Sequence, residues 1–326
     1  MSVGALVARV AATVGVATAL GAIAGCTGGE AGDAFRERRP PTVVALDGSP
    51  LLFPLVSRAG VEFEAREPDV DVDVRRTGTE EGFDALCAGT APVALAARLI
   101  GAKERAICRQ NGNILRLFPM ANEGLAVIAH PDLEIECLST SSLRRVWRAG
   151  SSVREYGDLG QRLPEVPITA FGPPTDSESF DFFTRSVVGR EGSMREEYRP
   201  TRRPAELVDR VAATPGAIGY VGYAELARAS GADRVRTIAV DAEEGCVSPS
   251  LETVKSGRYP LARTLYAYVN LEGLRRAKVG RFLAFTIDRH ESLTKGLGLV
   301  PMSRAQVRKA RAVVGEPRLP QAVPAG

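Results

Sequence analysis

Residues 42–74, TVVALDGSPLLFPLVSRAGVEFEAREPDVDVDV, predict a β-α-β unit at the start of the folded region. Residues 42–46 form a β-branched and apolar run that ends at an Asp-Gly-Ser turn, as a short buried strand does. Residues 51–65 carry apolar side chains at helical spacing, and residues 70–74 alternate valine with aspartate, which is typical of a half-buried strand.

The same alternation of helix-like and strand-like segments continues along the chain. Helical patterns occupy residues 81–88, 102–111, 139–147, 177–188, 205–214, 276–289 and 304–314. Strand patterns occupy residues 93–96, 114–118, 124–130, 166–171, 217–219, 235–238 and 265–269. Such alternation predicts an α/β fold with mainly parallel sheets.

The N-terminal residues have the pattern of a lipoprotein signal peptide. Arg9 precedes an apolar run at 10–23, and Ile-Ala-Gly-Cys at 23–26 matches a lipobox, which predicts cleavage after residue 25 and acylation of Cys26. A single membrane-spanning anchor is the alternative, but the run is short and rich in alanine and glycine. Residues 26–41 predict a tether and 315–326 a flexible tail. We therefore expect a lipid-anchored, extracytoplasmic protein of the cell envelope.

Composition and motifs argue against several other functions. The net charge is only +3 and basic residues are mixed with acidic ones, which is not the pattern of a nucleic-acid-binding surface. The two histidines do not have metal-ligand spacing with a cysteine pair. The chain has no Gly-x-Ser-x-Gly, Gly-x-x-x-x-Gly-Lys or His-Glu-x-x-His motif. We expect no enzyme activity, no metal and no cofactor.

Four short segments carry a resemblance to a known family. They are Asp47-Gly48-Ser49 with Phe53-Pro54, Thr77-Gly78-Thr79 with Gly82, Ala88-Gly89-Thr90 with Ala96-Ala97-Arg98, and Thr175-Asp176-Ser177 with Phe180-Asp181. These segments resemble the ligand loops of the phosphate-binding proteins of bacterial phosphate ABC importers. Residues 215–223 and 248–263 are also similar to that family, and the resemblance covers residues 42–302.

The resemblance implies the two-lobed periplasmic binding protein fold of type II. Each lobe would be a mainly parallel sheet flanked by helices, and a two-strand hinge would join the lobes near Val127 and Thr264. Lobe one would contain residues 42–126 and 264–314, and lobe two would contain residues 127–263. Ligand would be enclosed as the lobes close.

The four cysteines after Cys26 are Cys87, Cys108, Cys137 and Cys246. In an exported chain an even number favours two disulfides, and three pairings are open. We prefer Cys87 with Cys108 and Cys137 with Cys246, because each pair would then lie within one of the lobes that the resemblance implies.

The resemblance also implies a ligand set and partners. Ser49, Leu51, Thr79, Ser177 and Ser179 would bind inorganic phosphate or a related oxyanion from both lobes, and Arg98 would add a fixed positive charge. The protein would be a monomer that delivers this solute to the permease subunits of an ABC importer.

The departures from the family pattern fall in the ligand loops: Pro50, Glu80, Glu81, Ala97, Pro173 and Glu178. A helix N-terminus stabilises an anion by about 0.3 to 1 kcal/mol. One glutamate about 5 Å away opposes it by about 3 kcal/mol at an effective dielectric constant near 20. If the glutamates point outward, the oxyanion site is preserved. If they point inward, we expect a divergent member with an altered or lost site, which binds another solute or serves as a tethered sensor or interaction protein.

Overall fold

A computed structural model describes residues 40–160, 162–243 and 245–315. The predicted signal peptide at 1–25, the lipidation site Cys26, most of the tether and residues 316–326 of the tail lie outside the described residues. Gly315, which was assigned to the tail, instead ends the last helix. Within the described ranges, none of the helices combines the length and the apolar character that crossing a bilayer would require.

Helices and strands alternate along the described chain. The helices are α1 Phe53–Glu64, α2 Thr79–Ala88, α3 Ala102–Gln110, α4 Thr140–Trp147, α5 Glu178–Phe183, α6 Pro204–Ala213, α7 Tyr223–Leu226, α8 Leu251–Ser256, α9 Leu271–Arg275, α10 Ala277–Asp288, α11 His290–Thr294 and α12 Arg304–Gly315. The strands are β1 Thr42–Gly48, β2 Val70–Val74, β3 Val93–Ala96, β4 Leu115–Ala129, β5 Cys137–Ser139, β6 Thr169–Gly172, β7 Arg199–Pro200, β8 Ala217–Gly222, β9 Arg236–Asp241, β10 Cys246–Val247 and β11 Ala262–Asn270.

The first unit has the predicted β-α-β arrangement. β1 pairs in parallel with β2 on one side and with β3 on the other. Leu55, Ala59 and Phe63 repeat at a spacing of four and are buried against the sheet. Val61 belongs to the same apolar pattern but is 70% exposed, because it lies on the opposite side of α1.

The sequence predicts two separate strands at 114–118 and 124–130, but the structure has one long strand, β4. Every residue but one from Leu115 to Ala129 is buried, so no solvated turn interrupts it. Pro119 cannot donate a hydrogen bond, and the pairing of β4 with β11 shifts register beside it, between Leu265 and Tyr266. A bulge therefore takes the place of the predicted loop.

The sheet runs in the order β2-β1-β3-β11-β4-β8-β6-β7, with β9 also beside β4. Parallel pairs join β1 to β2 and β3, and β6 to β7 and β8. The long strands β4 and β11 pair antiparallel with each other, β11 pairs antiparallel with β3, and β4 does so with β8 and β9. The sheet is therefore mixed, with antiparallel pairs at its centre that the sequence pattern did not predict.

β4 and β11 cross between two large buried clusters. In β4, Ala121 packs in a cluster with Val44 and Phe282, whereas Leu125 packs in a cluster with Trp147. The change of cluster thus falls between residues 121 and 125, a few residues before Val127. The exact lobe boundaries at 126/127 and 263/264 stay a prediction.

The structure contains both preferred disulfides. Cys87 in α2 is bonded to Cys108 in α3 with a Cα–Cα distance of 4.3 Å. Cys137 in β5 is bonded to Cys246 in β10 with a Cα–Cα distance of 6.0 Å. The first bridge ties two helices beside β3, and the second ties β5 and β10, the two strands that flank β9.

Candidate functional site

A cavity of about 290 Å³ lies where the start of α2 and the end of β3 face α5. Its lining carries six carboxyl groups and three guanidinium groups. The acids are Glu80, Glu81, Asp176, Glu178, Asp181 and Glu191, and the bases are Arg98, Arg185 and Arg263. The cleft is therefore rich in negative charge before any solute enters it.

The Glu178 carboxylate points into this cavity and is held by two hydroxyl groups. Ser49 Oγ donates a hydrogen bond to Glu178 Oε2, and Thr79 Oγ1 donates one to Glu178 Oε1 at 2.5 Å. Thr79 Oγ1 also accepts a bond from the Ala97 amide at 3.0 Å, which orients its proton towards Glu178. Ser49 is fully buried and Thr79 is 8% exposed. Two of the predicted ligand residues therefore converge on one carboxylate of the same chain.

A glycine lets Ser49 and Thr79 come together. A Cβ atom at Gly82 would lie 2.7 Å from Gly48 Cα and 2.9 Å from the Asp47 carbonyl oxygen, so α2 can approach the end of β1 only with glycine there. Asp47 also links the end of β1 to the loop before α2, because its Oδ1 accepts hydrogen bonds from Thr77 Oγ1 at 2.7 Å and from the Gly48 amide at 2.8 Å.

Arg98 lines the cavity but is paired with another acid. Its Nη1 and Nη2 bind the two carboxylate oxygens of Glu104 at 2.9 and 2.7 Å. The hydrogen bond with Glu104 raises the pKa of Arg98. Burial alone would raise the pKa of Glu104, but the bonds from Arg98 and the Gly101 amide outweigh it and lower that pKa. The Arg98 guanidinium group, which was predicted to bind phosphate, thus binds the Glu104 carboxylate instead.

The remaining predicted ligand residues have hydrogen-bond partners other than the Glu178 carboxylate. Ser177 caps α5, because its Oγ accepts from the Phe180 amide at 3.2 Å and donates to the Pro174 carbonyl at 2.7 Å. Ser179 Oγ donates to Glu123 Oε1 at 3.0 Å. The Leu51 amide donates to Ser49 Oγ at 3.3 Å.

A buried ion pair that sequence reasoning did not assign lies beside the cavity. Arg263 Nε donates to Glu123 Oε2 at 2.7 Å, and the two side chains are 8% and 6% exposed. Arg263 also donates to the Ala97 carbonyl at 3.2 Å and lies 4.5 Å from the ring centre of Phe182. No local sequence signal indicated this pair, because Glu123 falls between the two predicted strands 114–118 and 124–130 and its partner is 140 residues away.

The other glutamates at the entrance have different orientations. Glu80 is exposed on the first turn of α2, and the Glu81 carboxylate lies beside the Gly78 backbone at the start of the same helix. Glu191 pairs with Arg185 through Arg185 Nε at 2.8 Å. Burial raises the pKa of Asp181, and Glu191 and Glu178 add to that rise. Each arginine of the lining is therefore already paired, while Glu178 is held by hydroxyl groups.

A second cavity of about 290 Å³ adjoins the N-terminus of α5 and includes Leu51, Ser177 and Ser179. Its acidic member is Glu225, whose pKa burial raises to about 7, with a further contribution from Glu123. Across residues 40–160, 162–243 and 245–315, the structure shows no cluster of side chains suited to hold a metal ion.

Residues 36–290 match the model of a family described as the PBP superfamily domain. The chain belongs to this superfamily. Protein SphX of Synechocystis sp. is 29% identical over 264 residues, which cover 79% of this chain and 78% of that protein. The phosphate-binding protein PstS of Staphylococcus haemolyticus is 25% identical over 245 residues, which cover 74% and 75%.

Solved structures agree with this assignment. The crystal structure of a possible phosphate-binding protein from Planctomyces limnophilus matches with a TM-score of 0.73 at 30% identity, covering 86% of this chain and 99% of that one. The resemblance to phosphate-binding proteins and the α/β periplasmic binding protein fold are confirmed.

Proposed function

We propose that this chain is the extracytoplasmic solute-binding protein of an ABC importer and that it binds phosphate rather than catalysing a reaction. The observation that carries this proposal is the convergence of Ser49 and Thr79 on the two oxygens of one carboxylate. The Glu178 carboxylate stands in for two oxygens of a bound oxyanion. Relatives named as phosphate-binding proteins support phosphate as that oxyanion.

The acidic lining favours a second candidate function. Six carboxyl groups face three guanidinium groups, and each guanidinium already has an acidic partner. A solute with one or two negative charges enters such a cleft against electrostatic repulsion. The second candidate is therefore a divergent member that binds a neutral or cationic solute, or that serves as a tethered sensor or interaction protein.

Titration calorimetry with inorganic phosphate, sulfate and a small amine separates the two candidates. We expect saturable phosphate binding by the wild type. In a Glu178→Gly background, where no carboxylate of the chain competes for Thr79, adding Thr79→Ala should weaken phosphate binding about tenfold or more, because a hydrogen bond to a charged group contributes about 1.5–3 kcal/mol. Ser292→Ala is the control, since Ser292 is exposed in α11, lies outside the segments that resemble ligand loops, and bonds the Arg289 carbonyl through its hydroxyl group. Heat with the amine and none with phosphate would instead support the divergent member.

We also propose that the mature protein is a monomer anchored to the extracytoplasmic side of a membrane by a lipid on Cys26. The support is the lipobox at residues 23–26. We expect a radiolabelled fatty acid to be incorporated into the wild-type chain and not into Cys26→Ser. Equal labelling of the two chains, or labelling of neither, would contradict a lipid on Cys26.

A further inference from the structure

The contact between α5 and the loops after β1 and β2 has the geometry of a bound ligand. Glu178 is half-buried at the start of α5, and both of its carboxylate oxygens accept a hydrogen bond from a buried residue of the facing side. The arginines of the lining bind Glu104, Glu191 and Glu123 instead. The site that should take a solute oxyanion is thus filled by the chain itself.

We propose that Glu178 is an internal ligand that occupies the anion site and must be displaced before phosphate binds. This inference rests on the proposed function and deepens it, because it makes Glu178 the residue that determines the affinity of the site. The same carboxylate joins α5 to the β1 and β2 loops, so it also holds the cleft closed when no solute is present.

Hydrogen-bond capacity makes the two occupants exclusive. A serine or threonine hydroxyl group has a single proton to donate. Ser49 and Thr79 both donate their hydroxyl protons to Glu178, and the Ala97 amide donates its proton to Thr79. Phosphate can therefore use these groups only after the Glu178 side chain has rotated away.

The fraction of time that Glu178 occupies the anion site determines how much it weakens phosphate binding. When a binding-competent form is only a small fraction of the population, the measured dissociation constant rises by the inverse of that fraction. If Glu178 occupies the site for about nine-tenths of the time or more, phosphate affinity is reduced about tenfold or more. Repulsion between the displaced carboxylate and the bound anion lowers the affinity further.

The test compares phosphate binding by the wild type, Glu178→Gly, Glu178→Gln and the control Glu80→Gln. Glu80 lines the same cavity from the exposed first turn of α2, so its variant removes one negative charge and leaves the hydroxyl groups engaged. We expect Glu178→Gly to bind phosphate about tenfold or more tightly than the wild type. Glu178→Gln should lie between them, and Glu80→Gln should change the affinity less than either. Equal affinities for the wild type and a folded Glu178→Gly would overturn the proposal.

A readout without phosphate separates this proposal from the proposed function. Small-angle X-ray scattering of the phosphate-free proteins should show a larger radius of gyration for Glu178→Gly and Glu178→Gln than for the wild type and Glu80→Gln. If no chain binds phosphate but the Glu178 variants expand, the phosphate assignment fails and the internal ligand stands. If the variants neither expand nor gain affinity, the internal ligand is wrong. Glu178→Gln, which conserves shape, provides the answer if the glycine variant does not fold.

Discussion

Replacing Glu123 by alanine is expected to lower the free energy of unfolding by about 3–5 kcal/mol. Arg263 is 8% exposed and would remain buried without its counter-ion. Its other contacts, the Ala97 carbonyl and the Phe182 ring, are too weak to replace a carboxylate. Ser179 would lose its hydrogen-bond acceptor at the same time. Urea unfolding followed by circular dichroism measures the change.

Two further variants control this experiment. Glu252→Ala removes one member of an ion pair with Arg258 whose side chains are 82% and 64% exposed, and it should change stability by less than about 1 kcal/mol. Glu123→Leu combined with Arg263→Met removes both charges and should recover much of the loss. A loss below about 1 kcal/mol in Glu123→Ala would mean that water or another acid reaches Arg263.

Removal of the Cys137–Cys246 disulfide is expected to have an effect of similar size. The bridge joins residues 109 positions apart, and the chain-entropy relation gives about 5 kcal/mol for a loop of that length. Cys137 is half-buried and Cys246 is exposed, so Cys137→Ala with Cys246→Ala should leave no core cavity. The measurement is urea unfolding of a chain that begins at Thr27, with and without both substitutions.

The Cys87–Cys108 disulfide provides the comparison. It spans 21 positions, for which the same relation gives about 3 kcal/mol. Its cysteines are 3% and 0% exposed, so their replacement also disturbs packing. Reaction of the unfolded, unreduced chain with a thiol reagent should detect no free thiol in the chain that begins at Thr27. Four reactive thiols would contradict both bridges.

The fold was predictable where the deciding contacts are local. The β-α-β unit at 42–74 was predicted because the apolar spacing of α1 and the alternation of β2 are properties of neighbouring residues. The single strand β4 was not predicted, because Pro119 and Asn122, which lie between the two predicted strands, resemble a turn when read alone. Their strand conformation depends on pairing with β11, which lies more than 130 residues later.

The sequence predicted the hydrogen-bond donors Ser49 and Thr79 of the candidate site, but it did not predict that Glu178 would occupy the site. Ser49 and Thr79 follow strand ends in segments that resemble ligand loops, and the structure brings them together. The direction of Glu178 depends on what faces α5 across the cleft, and its own sequence neighbours do not determine that. The pairing of Arg98 with Glu104 is local, so their six-residue spacing could have suggested it. The pairing of Glu123 with Arg263 could not be predicted from spacing, because the two residues are 140 positions apart.

Crystal structures of the wild-type protein grown without and with inorganic phosphate test most directly whether Glu178 fills the anion site. We expect the phosphate-free crystal to show both Glu178 carboxylate oxygens within hydrogen-bond distance of Ser49 Oγ and Thr79 Oγ1. The phosphate-bound crystal should show the anion on these hydroxyl groups and Glu178 rotated away. A phosphate-free structure in which Glu178 points to solvent and both hydroxyl groups face an open cleft would contradict the internal ligand.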